Sequence, residues 1–388
     1  MNSQMGPDVI ELARSLVRVG ATSGEERPVA AIVASTMKDL GYRDITQDRL
    51  GNIVGFVGPA GTSTALLFDG HMDVVRATGV WTVEPFGGVV RGGRLYGRGS
   101  TDMKGPLAAA IVGVAEAAET GRLNRAVAVS ASVLEETIEG GALGEVIDRV
   151  VPEMVVICEP SSLSVKTGQR GRMEIQVQVH GIPAHAAHPE RGKNALTLAA
   201  VALQAIDRMK LPHDSVLGQA IMVPTDIIST PYPLISALPE SVTIRFDRRT
   251  VVGETRESVL SALRERLGQI DHEAFRVSIT ADPVLTYTGE TVVWERFLAA
   301  WQFGSDLPLA QAAAASLLES GLEVRFGAYA FCTNGSESAG QRNIPTIGLG
   351  PGAEADAHTA NESISIDELQ KAVATYRNLT LRIAGGKQ

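Results

Sequence analysis

Three strand-like runs of this 388-residue chain end in acidic or imidazole side chains, and that pattern limits what the chain can fold into. Residues 65–68 are continuously apolar, as a strand buried on both faces requires, and their tail is Asp69-Gly70-His71-Met72-Asp73. Residues 126–134 end in Glu135-Glu136, and residues 154–157 end in Cys158-Glu159-Pro160. Helical patterns near 104–119 and 141–149 separate the runs. Strands alternating with helices predict an α/β fold, a mixed sheet with helices on its faces. Ligands gather beyond the carboxyl ends of strands in such sheets, so the polar tails mark the place for chemistry.

The pattern changes near residue 172. There Ile175, Val177 and Val179 alternate with Gln176, Gln178 and His180, the period of an antiparallel strand solvated on one side. A helix over 194–209, strands near 220–223 and 242–246, a helix over 257–269 and a strand over 275–280 complete a small α+β block. Past Asp282-Pro283 the mixed alternation resumes, and short strands near 328–331 and 346–349 could rejoin the first sheet. A chain of this length exceeds what one hydrophobic core usually holds. The expected organisation is a larger domain in two parts, residues 1–171 and 282–388, interrupted by an inserted smaller domain, residues 172–281.

A net charge of −9 argues against phosphate-backbone binding, which needs clustered Lys and Arg, so nucleic acid is not an expected partner. Carboxylates gathered around divalent cations would account for part of that acidity. Residues 1–7 lack the basic start, apolar stretch and cleavage site of a signal peptide, and the apolar runs 107–115 and 195–206 are too short or too interrupted to span a bilayer. A cytoplasmic location without membrane partners is the expectation. Cys158 and Cys332 are too few for a disulfide framework and read as packing residues.

Three strand ends and one late loop deliver His71, Asp73, Asp102, Glu135, Glu136, Glu159 and His358. Zinc takes imidazole nitrogen and carboxylate oxygen readily, and a catalytic site keeps one position open. Two such ions about 4 Å apart, sharing one carboxylate, need roughly this inventory. His71 and Asp73 lie on one side of an extended segment, so the Asp73 carboxylate can accept from the second imidazole nitrogen and fix which nitrogen faces the metal. Glu135 and Glu136 alternate, which suggests a division of labour: one binds metal, the other takes a proton from water. The glycines before Asp102 lack the ending of a phosphate loop, and Ser336 and Ser338 lack the preceding glycine of a nucleophile elbow. Nucleotide binding and serine hydrolysis are not expected.

Gly70-His71-Met72-Asp73-Val74-Val75, Gly97-Arg98-Gly99-Ser100-Thr101-Asp102-Met103-Lys104-Gly105, Glu135-Glu136, Cys158-Glu159-Pro160 and Ala357-His358-Thr359 follow one another in an order that resembles the acetylornithine deacetylase, succinyl-diaminopimelate desuccinylase and carboxypeptidase G family. The match runs over nearly the whole chain. It implies a zinc-peptidase-like mixed sheet with an inserted α+β lid and dimerisation domain. It also implies that Asp102 bridges two divalent metal ions, most simply zinc, with cobalt or manganese able to take similar shells. His71 and Glu159 would complete one shell and Glu136 and His358 the other, with Glu135 as general base and a third-ligand role for Glu135 as the alternative. A cis peptide bond at Asp102-Met103 belongs to the same resemblance.

The stretch Gly181-Ile182-Pro183-Ala184-His185-Ala186-Ala187 is similar to the family's lid motif, which implies that His185 reaches a partner subunit's site as an oxyanion donor and that a homodimer forms through the inserted domain. Ser236-Ala237-Leu238-Pro239 departs from the Asn-x-x-Pro of many relatives. Arg248 is a candidate fork for a substrate carboxylate, with a salt bridge inside the inserted domain as the alternative. Asn334 reads first as shaping a turn in which Gly335 supplies a positive φ, with substrate contact as the second candidate role. The expected activity is hydrolysis of the amide of a small N-acetyl, N-succinyl or N-carbamoyl amino acid. The alternatives are a dipeptidase or carboxypeptidase on the same scaffold, and a metal- or partner-binding relative without turnover.

Overall fold

The computed structural model describes residues 8–386, so residues 1–7, read above for a leader, lie outside the described residues. Strands β1 (Arg43–Gln47), β2 (Ile53–Val57), β3 (Thr64–His71), β4 (Ala126–Ser132), β5 (Val155–Ile157) and β6 (Val165–Gln169) come first. Strands β7 (Gly171–His180), β8 (Ile221–Thr230), β9 (Ser241–Thr250), β10 (Phe275–Ile279) and β11 (Phe297–Leu298) then build a separate five-stranded sheet. The first sheet is completed by β12 (Trp301–Gln302), β13 (Phe326–Tyr329) and β14 (Thr346–Gly348). The helices are α1 (Val9–Arg18), α2 (Arg27–Asp39), α3 (Lys104–Glu119), α4 (Glu135–Ile138), α5 (Gly141–Val150), α6 (Ala195–Asp207), α7 (Arg256–Gly268), α8 (Pro308–Glu319) and α9 (Ile366–Ala384).

The larger sheet has nine strands in the order β1-β2-β4-β3-β5-β14-β6-β12, with β13 beside β6. Its four central neighbours β4, β3, β5 and β14 are parallel, so their carboxyl ends share one edge. Every residue of β3 and β4 is buried, because both faces are covered. Leu66 and Phe68 of β3 and Val127 and Val129 of β4 pack into the core made with α1, α3 and α9, while Leu67, Ala128, Val155 and Ile157 face the other way, under α5. Replacing Leu67 by Ala would cost about 2–5 kcal/mol of stability. This is the α/β mixed sheet that the strand and helix alternation predicts. The close packing of α3 against α9 needs Gly113, whose Cβ would lie 2.6 Å from the Val373 carbonyl oxygen.

The smaller sheet is antiparallel throughout, ordered β8-β9-β7-β10 with β11 beside β7. Ile175, Val177, Val242, Ile244 and Phe246 turn one face to α6 and α7. Residues of the opposite parity, including Arg172, Glu174, Arg245, Asp247 and Arg249, form a polar face. β8 is the outer strand and runs well past the expected 220–223, through a register shift between Pro224 and Asp226, with Val223, Ile227 and Ile228 exposed. Among the described residues no helix is long and apolar enough to cross a membrane.

Candidate metal centre

His71 closes β3 with its side chain 1 % exposed. Its Nδ1 donates to the Asp73 backbone carbonyl at 2.9 Å, which turns Nε2 toward Asp102 Oδ1 at 3.1 Å, Glu159 Oε1 at 3.5 Å and Glu135 Oε2 at 3.8 Å. The other Asp102 oxygen, Oδ2, lies 3.2 Å from His358 Nε2, and that nitrogen is 3.0 Å from Glu136 Oε2. One carboxylate is thus divided between two imidazoles, each with its own glutamate. Ligand atoms of His71, Asp102 and Glu136 lie within 4.8 Å of one another, as do those of His71, Glu135 and Glu159. The second grouping leaves both readings of Glu135, base and ligand, open.

The electrostatics of the cluster ask for cations. Burial, with Asp102 beside them, holds Glu159 well above the usual carboxylate range and pushes Glu136 up to about 7. Glu135 is likewise held high by burial and then by Glu159 and Glu136, against the pull of His71. Asp102 goes the other way: its burial is outweighed by hydrogen bonds from His358 and His71, which hold it below the usual range. His358, bonded to Asp102 and Glu136, rises to about 10. His71 is opposed by burial, but its bond to Asp102 and the fields of Glu135 and Glu159 raise it well above the ordinary imidazole value. Glu136 Oε1 is buried without a hydrogen-bond partner among the described residues. Four clustered carboxylates, two imidazoles facing them and one orphaned oxygen fit a pair of divalent ions with nitrogen and oxygen shells.

Neighbouring loops set this geometry. The sequence assigns the hold on His71 to the Asp73 carboxylate; in the structure the backbone carbonyl makes that bond and Asp73 Oδ1 stands 3.6 Å away. The carboxylate is occupied elsewhere, accepting from the N–H groups of Glu135 and Glu136, both at 3.2 Å, and from Ser23 Oγ at 2.7 Å. It thereby caps the single turn of α4. Just before that turn Leu134 adopts φ 60°, and its N–H donates to Glu26 Oε1 at 3.1 Å. Glu362 ties the Asp102 loop to the His358 loop: its oxygens accept from Thr101 N at 2.8 Å, Asp102 N at 3.0 Å and Arg98 Nη1 at 2.6 Å, while Arg98 Nη2 donates to the Thr359 carbonyl at 3.2 Å. The Asp102–Met103 peptide bond is cis.

The cluster opens into a cleft of about 390 Å³ whose lining includes Asp102, Glu135, Glu136, Glu159 and His358 together with Glu139, Arg172 and Arg249. Two candidate substrate contacts are corrected. Arg248 is 2 % exposed, donates to the carbonyls of Ile221 and Arg249 and pairs with Glu254. It shares the parity of Val242, Ile244 and Phe246, so it faces the helices, and Arg249 takes the cleft wall instead, held by Asp247 at 2.7 and 3.2 Å. Asn334 is buried behind the cleft, donating to Asp69 Oδ2 at 2.8 Å and Ser132 Oγ at 3.0 Å and accepting from Gly140 N at 2.6 Å. It staples the carboxyl ends of β3 and β4 to the turn after α4 and does not line the cleft. His185 is exposed on the smaller unit, outside the cleft lining among the described residues, with Nδ1 accepting from Ala187 N at 3.0 Å. Sequence reasoning missed Glu139, Arg172, Arg249 and Glu362. Strand parity could have found Arg249; the other three act through partners far along the chain.

A sheet whose parallel strand ends gather two imidazoles and four carboxylates at the mouth of a cleft has the make-up of a hydrolase with a metal-binding centre. Residues 67–382 match the model of peptidase family M20/M25/M40, and the chain belongs to that family. The resemblance read from the ordered motifs is borne out. The uncharacterized protein YgeY of Escherichia coli K12 is 29% identical over 387 residues, covering 96% of this chain and 94% of that protein. A succinyl-diaminopimelate desuccinylase of Sphingopyxis alaskensis is 28% identical over 404 residues, covering 97% and 98%. In fold, the chain resembles an M20 family metallo-carboxypeptidase from Sulfolobus solfataricus, with a TM-score of 0.76 at 16% identity, covering 97% of this chain and 99% of that one.

Proposed function

We propose that this hydrolase cleaves the amide bond of a small N-acetyl, N-succinyl or N-carbamoyl amino acid at a pair of divalent metal ions, zinc by preference and cobalt or manganese as substitutes. The observation that carries the reading is Asp102, whose Oδ1 and Oδ2 are divided between His71 at 3.1 Å and His358 at 3.2 Å. His71, Asp102 and Glu159 would hold one ion, and Asp102, Glu136 and His358 the other. When bound, the ions supply a Lewis acid for the scissile carbonyl and bring the pKa of water down to about 7.

The chain's own residues do the rest. Glu135, 6 % exposed at the cleft wall, takes the proton of the attacking water and returns it to the departing amine. Arg249 presents a planar fork to the carboxylate of the amino acid. His185, exposed on the smaller unit, serves as oxyanion donor in the cleft of a second copy, so the smaller unit acts as both lid and dimerisation domain. The outer strand β8, with Val223, Ile227 and Ile228 exposed, offers the surface on which two copies meet.

The test is a substrate panel on zinc- or cobalt-reconstituted protein. N-acyl and N-carbamoyl amino acids are expected to exceed dipeptides in kcat/KM by about tenfold or more. The opposite ranking would make the protein a dipeptidase or carboxypeptidase, and absence of turnover with both ions bound would leave a metal-binding relative.

A further inference from the structure

The short helix that presents Glu135 and Glu136 has little stability of its own. At Glu135–Ile138, α4 is a single turn, and a lone turn gains one or two hydrogen bonds against the entropy of fixing its backbone. The groups at its two ends therefore decide where it stays: Asp73 holds the amino end, and the carboxyl end is held from the other sheet. Glu139 N donates to the Glu135 carbonyl at 2.9 Å and closes the turn. The Glu139 side chain then accepts from Arg172 Nη1 at 2.7 Å, and the Thr137 carbonyl accepts from Arg296. Arg172 is the second residue of β7, where the chain enters the smaller sheet, and Arg296 immediately precedes β11, where it leaves.

We propose that Glu139 and Arg172 are positioning residues, a partly buried ion pair through which the smaller sheet fixes the turn that carries Glu135 and Glu136. The proposal rests on the roles given to those two glutamates above and adds the link between them and the other unit. Arg172 is itself held in place within the smaller sheet, donating to Glu174 Oε1 at 2.8 Å and to Asp247 Oδ2 at 3.2 Å. Its guanidinium stands in the wall between the metal cleft and a second cavity of about 290 Å³ on the polar face of the smaller sheet. Of its three carboxylate partners, Glu139 comes from the larger unit. Glu139 is 8 % exposed and, among the described residues, its Oε2 has no hydrogen-bond partner, so the bond to Arg172 is the one that satisfies its side chain. A buried carboxylate in that position follows its cation, because separation would leave a charge uncompensated away from water. When the smaller sheet moves, Glu139 moves with Arg172 and α4 with Glu139, and a displacement of that turn by a fraction of an ångström reaches the cleft through Glu135 and Glu136.

The experiment uses the metal-loaded full-length protein carrying Glu139→Ala, Glu139→Gln, Arg172→Met, or Glu139→Ala with Arg172→Met. Each of Glu139→Ala and Arg172→Met is expected to lower kcat roughly ten- to hundredfold at little change in KM, and the double variant to lose no more than the worse single. Glu139→Gln, which keeps an acceptor for Arg172, should recover most of the activity. Independently of catalysis, amide hydrogen exchange in residues 134–140 should accelerate in Glu139→Ala while β3 stays protected. Additive losses in the double variant, or unchanged exchange in 134–140, would overturn the proposal. Should Glu139→Ala fail to fold, Glu139→Gln and Arg172→Met decide through the same two readouts. Full activity in Glu135→Gln would remove the base assignment and leave the exchange result as the test of the pair.

Discussion

His71 of the candidate metal centre and His185 of the smaller unit are held in opposite ways. His71 is buried, has one ring nitrogen committed to a backbone carbonyl and turns the other toward three carboxylates. His185 is exposed, and the contacts that shape its loop come from its own neighbourhood: Ala187 N to its ring, Ala186 N to the Ser236 carbonyl and Leu238 N to the Ala184 carbonyl. Buried polar groups have to find their partners inside the fold, whereas an exposed imidazole can wait for a partner from outside. The contrast separates a cluster that one chain assembles from an exposed imidazole for which the oxyanion role in a second copy is proposed.

Breaking the buried side should do the most damage. Asp102→Ala removes the carboxylate shared by both imidazoles and should abolish turnover together with binding of the ion pair, as read by metal analysis after gel filtration; two tightly bound ions in that variant would sink the shared-ligand assignment. Glu135→Gln should lower kcat by roughly 10²–10⁴ while both ions stay bound. On the exposed side, His185→Ala should cost about 10²–10³ in kcat. Mixing it with Glu135→Gln should restore about a quarter of wild-type activity, because half the reassembled dimers then carry one intact composite site. No recovery on mixing would move His185 out of the partner's cleft. Asp73→Asn, which weakens the cap on α4, should lower metal affinity or activity by about 10–100-fold.

The smallest effect is on pH. Glu136 at about 7 instead of 4.5 and His358 at about 10 instead of 6.5 bind protons more tightly in the metal-free fold than in the unfolded chain. With folded values above unfolded ones, the Glu136 contribution to stability is lost as pH rises from 4.5 through 7 and that of His358 from 6.5 through 10. A metal ion displaces both protons, so the gain in melting temperature on adding zinc should widen as pH rises through this window. A gap that narrows would contradict the assignment of Glu136 and His358 as ligands.

Much of the candidate centre was legible because its residues sit at the ends of apolar runs, where a local pattern marks both the strand and its tail. His71, Glu135, Glu136 and Glu159 follow that rule, and Asp102 and His358 were found through motif order. Arg248 was misplaced although the alternation of Val242, Ile244 and Phe246 already put position 248 on the helix side. Asn334 could not be read locally, since its partners Asp69, Ser132 and Gly140 are 265, 202 and 194 positions away. β8 was cut short by Pro224 and Asp226, which interrupt the apolar alternation where the strand shifts register. β6 went unread because Lys166 and Gly168 break a run too short to carry a period.

The placement of β14 between β5 and β6 means that the middle of the larger sheet is filled by residues 346–348, after the whole smaller unit has been threaded. During synthesis the first half of the chain leaves the ribosome with a gap in its sheet, two exposed strand edges and only one of its two cleft imidazoles. The set of candidate ligands is therefore complete only once the last tenth of the polypeptide, which brings His358, has been made. A truncated product stalled before that point would expose unpaired strand edges and hold a ligand set that lacks one imidazole.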